Sequence, residues 1–205
     1  MRGALPGSGL PARVRIVLAP SALGLVPVAS LLRREYSEVG IEVATQDVSL
    51  SGPGAFTGEG PAEHLVGIAS AAIVGHSERR RHHGETDEVV GGKLARAVQA
   101  GLAPLLCLGD DLASAQSPAR VEVVRAQCLA ALAAAERAGS SAAQMFAAGL
   151  VIAYEPKWAI GTGNPAPLDV AEAVAGGIRR ALAREDVPVL YGGSVDAASA
   201  SKWFG

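Results

Sequence analysis

The chain has 205 residues and a mass of 20.7 kDa, room for one domain with a sizeable core. With 49% hydrophobic and 19% charged residues it is a folded globular protein, and a net charge of -2 supplies no basic field to gather nucleic acid or an anionic membrane, so the expected partner is a small molecule. Its two cysteines, Cys107 and Cys128, are too few for a secreted disulfide scaffold and lack CxxC spacing; they read as reduced thiols of a cytoplasmic protein, with no functional role required of either.

In chain order, the Gly- and Pro-rich opening MRGALPGSGLPAR is expected to be a flexible arm over 1–12, ahead of a single domain over 13–205. From Ile16 to Leu32 no residue is charged, and Arg2, Arg13 and Arg15 precede the run, which is the order of a signal peptide. Pro20, Ser21, Gly24 and Pro27 interrupt it, however, and such breakers suit a strand turning into a helix better than a continuous apolar span. Strands are expected at 13–19, 41–46, 71–75, 103–109, 150–155 and 187–193, each nearly continuous in hydrophobicity, as parallel strands covered on both faces are. Helical periodicity occupies the intervals, over roughly 26–38, 86–100, 118–138 and 167–184, with another start near 196. The longest of these helices ends at Gly139, where a glycine can take a left-handed cap conformation, and reads as scaffold. Strands alternating with helices define a parallel α/β fold.

In parallel α/β barrels the reactive groups cluster at the carboxyl ends of the strands. The distinctive motifs fall there: VGHSERR at 74–80, AYEPKWAIGTG at 153–163 and YGGSV at 191–195. Together with GAFTGE at 54–59, GETDE at 84–88 and LCLGD at 106–110, they resemble the triosephosphate isomerase family from about residue 14 to 200. The resemblance covers that family's second to seventh βα units and implies a TIM (β/α)8-barrel fold, incomplete here with about six units.

The resemblance implies an isomerase interconverting D-glyceraldehyde 3-phosphate and dihydroxyacetone phosphate. Moving a proton between adjacent carbons requires a base to remove it and an electrophile to stabilise the enediolate oxygen. The family is itself the standard worked example of a carboxylate base paired with a neutral imidazole, and the resemblance carries those roles to Glu155 as base and His76 as electrophile. His76 also stands where a strand meets HSERR, a helix start whose positive end disfavours imidazolium. By the same resemblance Ser77 and Glu78 flank the histidine, Ser77 as a substrate-binding residue and Glu78 as a supporting catalytic residue, although a salt bridge to Arg79 or Arg80 is an alternative for Glu78. Pro156, Lys157, Trp158, Ala159, Ile160, Gly161, Thr162 and Gly163 correspond to a lid that excludes water. Gly161 and Ser194 would hold the substrate phosphate through backbone amides, and Gln46 would pack near the site. Thr57 and Glu59 correspond to a loop that reaches into a neighbouring subunit, implying a homodimer.

The run Arg79, Arg80, Arg81, His82, His83 could suggest nucleic acid or a metal-binding pair, but Glu85, Asp87 and Glu88 follow at once, so it reads as a solvated helix entry. No metal or organic cofactor is implied by a proton transfer of this kind, and no membrane partner is expected.

A full barrel has eight units in about 250 residues. The first and eighth are not found, nor are the family's substrate-binding asparagine and catalytic lysine: the lysines are Lys93, Lys157 and Lys202, in a helix, the lid and the last helix, and the only asparagine is Asn164. Two readings therefore stand beside the leading one, a catalytically inert barrel fragment and a related tetrose-phosphate isomerase. Asp47 and Asp110 replace the family's usual asparagine and glutamate, and the intact Gly161-Thr162-Gly163 favours a triose substrate. The second and seventh strands are expected to present unpaired hydrophobic edges.

Overall fold

In the computed structural model, residues 14–111, 117, 119–160, 162, 165–196, 199, 200 and 203 are described. The expected arm over 1–12, together with Gly161 and Gly163, lies outside them. Among the described residues there are six strands: β1 (Val17–Leu18), β2 (Glu42–Thr45), β3 (Ala71–Val74), β4 (Ala103–Asp110), β5 (Val151–Pro156) and β6 (Val189–Tyr191). They pair in chain order, every neighbour parallel, as successive βα units do. The helices between them are α1 (Ala22–Glu35), α2 (Ser77–His83), α3 (Asp87–Gln99), α4 (Arg120–Arg137), α5 (Ala142–Ala147) and α6 (Leu168–Leu182).

Each expected strand has a counterpart, and the main helices agree with the expected ranges within a few residues at each end. Helix α1 begins four residues before the expected position 26 and takes Pro27 into its body. Helix α5 has no counterpart in the periodicity; its six residues are set instead by a capping box, in which Ser141 Oγ accepts from the Gln144 N–H and Gln144 Oε1 accepts from the Ser141 N–H. Helix α4 ends at Arg137, and Gly139 follows in the left-handed region at φ 94°.

The principal core lies between β3, β4 and β5 and the helices α3, α4 and α6, where Leu94, Leu106, Val124, Cys128, Ile152 and Ile178 are buried. Strand β1 differs from the expectation of strands covered on both faces: Val17 and Leu18 are 38% and 41% exposed. At the opposite edge Leu190 is also exposed. Among the described residues these outer strands have a neighbour on one side only, whereas β3 to β5 have strands on both sides and helices packed over them. Among the described residues no helix is long and apolar enough to cross a membrane.

Helices α3 and α4 come together over Gly91, whose ideal Cβ would lie 2.3 Å from Ala134 Cβ and 2.5 Å from the Ala131 carbonyl oxygen. Because one of those atoms is backbone, a methyl group there must part the helices. Gly91→Ala is expected to lower stability by about 1–3 kcal/mol, measured by denaturant unfolding; an unchanged midpoint would show that the helices do not pack this closely.

Candidate active site

Strand β3 turns into α2 through Gly75, which has φ +77° and whose ideal Cβ would lie 2.9 Å from Val90 Cγ1. A side chain at this turn would meet both backbone strain and a clash. The next residue, His76, is the N-cap of α2, and its Nδ1 accepts from the Glu78 N–H at 3.3 Å. With Nδ1 used as an acceptor, Nε2 is the ring's donor, and it lies 3.1 Å from Glu155 Oε1. The carboxylate's other oxygen, Oε2, accepts from the Ser77 N–H at 2.9 Å, one of the amides a helix start leaves without an intrahelical partner. Glu155 is thus buried yet held by donors from the first turn of α2.

Strand β4 runs between β3 and β5, so its end has to leave space for this contact. Gly109 sits opposite Glu155 in the parallel register, and a Cβ there would be 2.2 Å from the Glu155 carbonyl oxygen. Cys107, two residues earlier, is buried; burial, reinforced by the nearby Glu155 carboxylate, pushes its thiol well above the ordinary range. Sequence reasoning assigns Cys107 no role, because composition alone does not reveal that it lies beneath the carboxylate.

His76, Glu78 and Arg79 line an open groove of about 950 Å³, together with residues at the C-terminal end of β2, the start of α1 and the segment 58–60. Glu155 lies behind His76 and does not line it. Gln46 is exposed on the groove and donates to the Ala19 carbonyl oxygen at 3.0 Å. Glu78 places Oε2 3.8 Å from His76 Nδ1, and the alternative pairing with Arg79 or Arg80 is not formed: Arg79 engages Asp47 and Glu85, and Arg80 engages Asp87 and the Gly75 carbonyl.

On the other side of the site, Pro156 ends β5 and Lys157, Trp158, Ala159 and Ile160 turn away from it. Thr162 Oγ1 donates to the Ala159 carbonyl at 3.0 Å, and Ser194 Oγ donates to the same oxygen at 3.2 Å, bringing YGGSV against the segment after Glu155. Thr57 and Glu59 lie on an exposed loop that also carries the half-exposed Phe56. Among the described residues no group of three or more His, Cys, Asp or Glu is arranged to hold a metal ion.

Two clusters of buried charge escape sequence reasoning. Asp110 and Arg120 pair at 2.9 Å with Tyr154 donating to the same carboxylate, and burial first, then this hydrogen bond, pushes the Tyr154 phenol well above its ordinary range. Lys93, on the inner face of α3, donates to Asp47 at 2.8 Å and to Glu85 at 2.6 Å. Burial raises Asp47 above the usual carboxylate range. Burial also acts to raise Glu85, but hydrogen bonds from Lys93 and Arg79 outweigh it and hold that carboxyl below its ordinary value. The signal for both clusters is an acidic residue at or just beyond the end of an apolar strand, which needs a cation if it is buried.

The sequence profile described as "Triosephosphate isomerase" matches residues 6–205. The chain belongs to the triosephosphate isomerase family. Among curated relatives, the protein named "Triosephosphate isomerase" from Xanthomonas euvesicatoria pv. vesicatoria is 38% identical over 198 residues, 93% of this chain and 74% of the relative. Those of the same name from Xanthomonas campestris pv. campestris and Stenotrophomonas maltophilia are 39% and 38% identical, covering 94% and 96% of this chain and 75% and 77% of their own lengths. The chain therefore spans about three quarters of these relatives, and the family places it among isomerases.

Replacing Lys93 by Met leaves the buried Glu85 and the partly buried Asp47 with Arg79 as their remaining cation, and is expected to cost about 3–5 kcal/mol at pH 7. Without Lys93 both carboxyls lose a partner that lowers them, so each folded pKa rises relative to the parent, and the stability lost with the lysine is lost as pH rises through those values. The deficit relative to the parent should shrink as pH falls from about 7 toward 4.5, followed by urea unfolding across that range. A deficit independent of pH would contradict the pairing.

Proposed function

We propose that the chain is a triosephosphate isomerase interconverting D-glyceraldehyde 3-phosphate and dihydroxyacetone phosphate, with Glu155 as base and His76 as electrophile. The observation that carries this reading is the contact between His76 Nε2 and Glu155 Oε1 at 3.1 Å, with Nδ1 already committed to the Glu78 amide. A substrate entering from the groove inserts between the two side chains. Glu155 then removes a proton from one carbon of the substrate, while the Nε2–H that it accepted in the empty site is released to hydrogen-bond the oxygen on which negative charge grows. The imidazole gives its Nε2 proton to that oxygen and takes one from the neighbouring hydroxyl, and reprotonation at the neighbouring carbon by the same carboxyl group completes the isomerisation without a redox step or cofactor.

Burial serves this chemistry in two ways. A carboxylate removed from water is not levelled by hydration, and an enediolate formed there is shielded from side reactions. Residues 156–163 form the lid in this reading, with Gly161 and Ser194 binding the phosphate and Glu78 orienting the imidazole through its backbone amide. The link from Ser194 Oγ to the Ala159 carbonyl supports joint movement of phosphate loop and lid. The guanidinium group lining the groove among the described residues is that of Arg79, held by Asp47 and Glu85. The exposed Thr57–Glu59 loop supports a homodimer, and the chemistry fits a cytoplasmic enzyme.

The test is a coupled isomerase assay on the purified chain and on Glu155→Gln, which preserves shape but cannot act as a base. The variant should lose at least about a hundredfold in turnover, the scale of general-base catalysis, with an unaltered circular dichroism spectrum. Turnover unchanged in Glu155→Gln would overturn the assignment, and a folded parent chain without turnover would favour the inert reading.

A further inference from the structure

We propose that Arg120 is a positioning residue that seats the lid: Asp110 fixes the edge of its guanidinium group, and its face carries the indole of Trp158. The proposal rests on the reading of residues 156–163 as a lid and adds to it the element that holds the lid's first turn in place.

Arg120 is the first residue of α4, and its side chain turns inward until 2% of it is exposed. Nε lies 3.0 Å from Asp110 Oδ1 and 2.9 Å from Oδ2, and Tyr154 Oη donates to Oδ2 at 2.8 Å. This polar group sits where the two central strands end, since Asp110 is opposite Pro156 in the β4–β5 register and its carbonyl accepts from the Lys157 N–H at 3.1 Å. The guanidinium carbon lies 5.0 Å from the centroid of the Trp158 ring.

A guanidinium group is planar, so it can serve a carboxylate with its edge and an aromatic ring with its face at the same time; an ammonium group cannot do both. The attraction between a cation and a ring face is strongest when the cation is removed from water, as Arg120 is here. The Trp158 Nε1–H is buried without a hydrogen-bond partner among the described residues, so the indole is held in this position by its ring face and its packing. Arg120, Asp110 and Tyr154 thus connect the end of β4, the residue before Glu155 and the first turn of the lid. A rotation of the indole off the guanidinium face would free the segment after Pro156 while leaving the ion pair beneath it intact.

The test uses the full chain. With Trp203 replaced by Phe, Trp158 is the sole tryptophan, because the sequence contains two. Arg120→Lys keeps the charge but loses the flat face; it should shift Trp158 emission to the red and speed tryptic cleavage after Lys157 about five- to tenfold. Trp158→Leu leaves the buried ion pair untouched and should speed cleavage by a similar factor, whereas Trp158→Phe, which keeps a ring face, should restore protection. The double variant Arg120→Lys/Trp158→Leu should be cleaved no faster than either single variant, since both remove one contact.

Unchanged emission and cleavage in Arg120→Lys, or effects that multiply in the double variant, would overturn the proposal. If Arg120→Lys does not fold, the comparison of Trp158→Leu with Trp158→Phe decides it: equal protection in both overturns it. Protection of the Lys157 site by inorganic phosphate tests the lid reading separately, and its loss with the double-variant result intact would overturn that reading while supporting the hold of Arg120 on Trp158.

Discussion

His76 follows β3 and Glu155 lies in β5, strands that are not neighbours, and their contact at 3.1 Å can exist only because β4 gives way between them. The strand between does so by ending in LCLGD, with Gly109 opposite Glu155 where a Cβ would strike backbone, and with Cys107 as the small side chain beneath the carboxylate. The turn at Gly75 then aims α2 so that its first amides and its capping histidine converge on the same carboxylate. Each of these features depends on parallel strands in one order and register, which the helices packed behind β3, β4 and β5 maintain.

A common organisation runs through the end of the sheet. Charged groups that are buried there are paired rather than left alone: Glu155 with the donors of α2, Asp110 with Arg120 and Tyr154, and Asp47 and Glu85 with Lys93 and Arg79. Pairing is what allows carboxylates to stay in a dry region where unpaired ones would be protonated or excluded. The pairs are not equivalent in consequence. Lys93 is fully engaged and acts on stability, whereas in the proposed reaction the donor on His76 Nε2 is the one a substrate oxygen captures.

Much of this organisation is legible in the sequence. Six apolar runs separated by helical periods give the strands and their parallel order, and motifs at the strand ends give His76, Ser77, Glu78 and Glu155 as one cluster. Tertiary contacts between residues distant in sequence are not legible: Cys107 under Glu155, Arg120 against Trp158, and Lys93 between two acids each require knowing which strand ends adjoin. Helix α5 escapes for a different reason, since its six residues are too short to show a period and depend on the Ser141 cap. The exposure of β1 follows from its single neighbour rather than its composition, for Val17 and Leu18 are as apolar as residues of the buried strands.

In the proposed reaction the His76–Glu155 pair moves a proton through an enediolate. Conversion of dihydroxyacetone phosphate in D2O, with trapping of the product, measures this directly, because a proton carried on a carboxyl group can exchange with solvent before it is returned. The account predicts glyceraldehyde 3-phosphate carrying solvent deuterium at C2. Product formed by the chain with no deuterium at that carbon, and no deuterium in the dihydroxyacetone phosphate recovered with it, would contradict it.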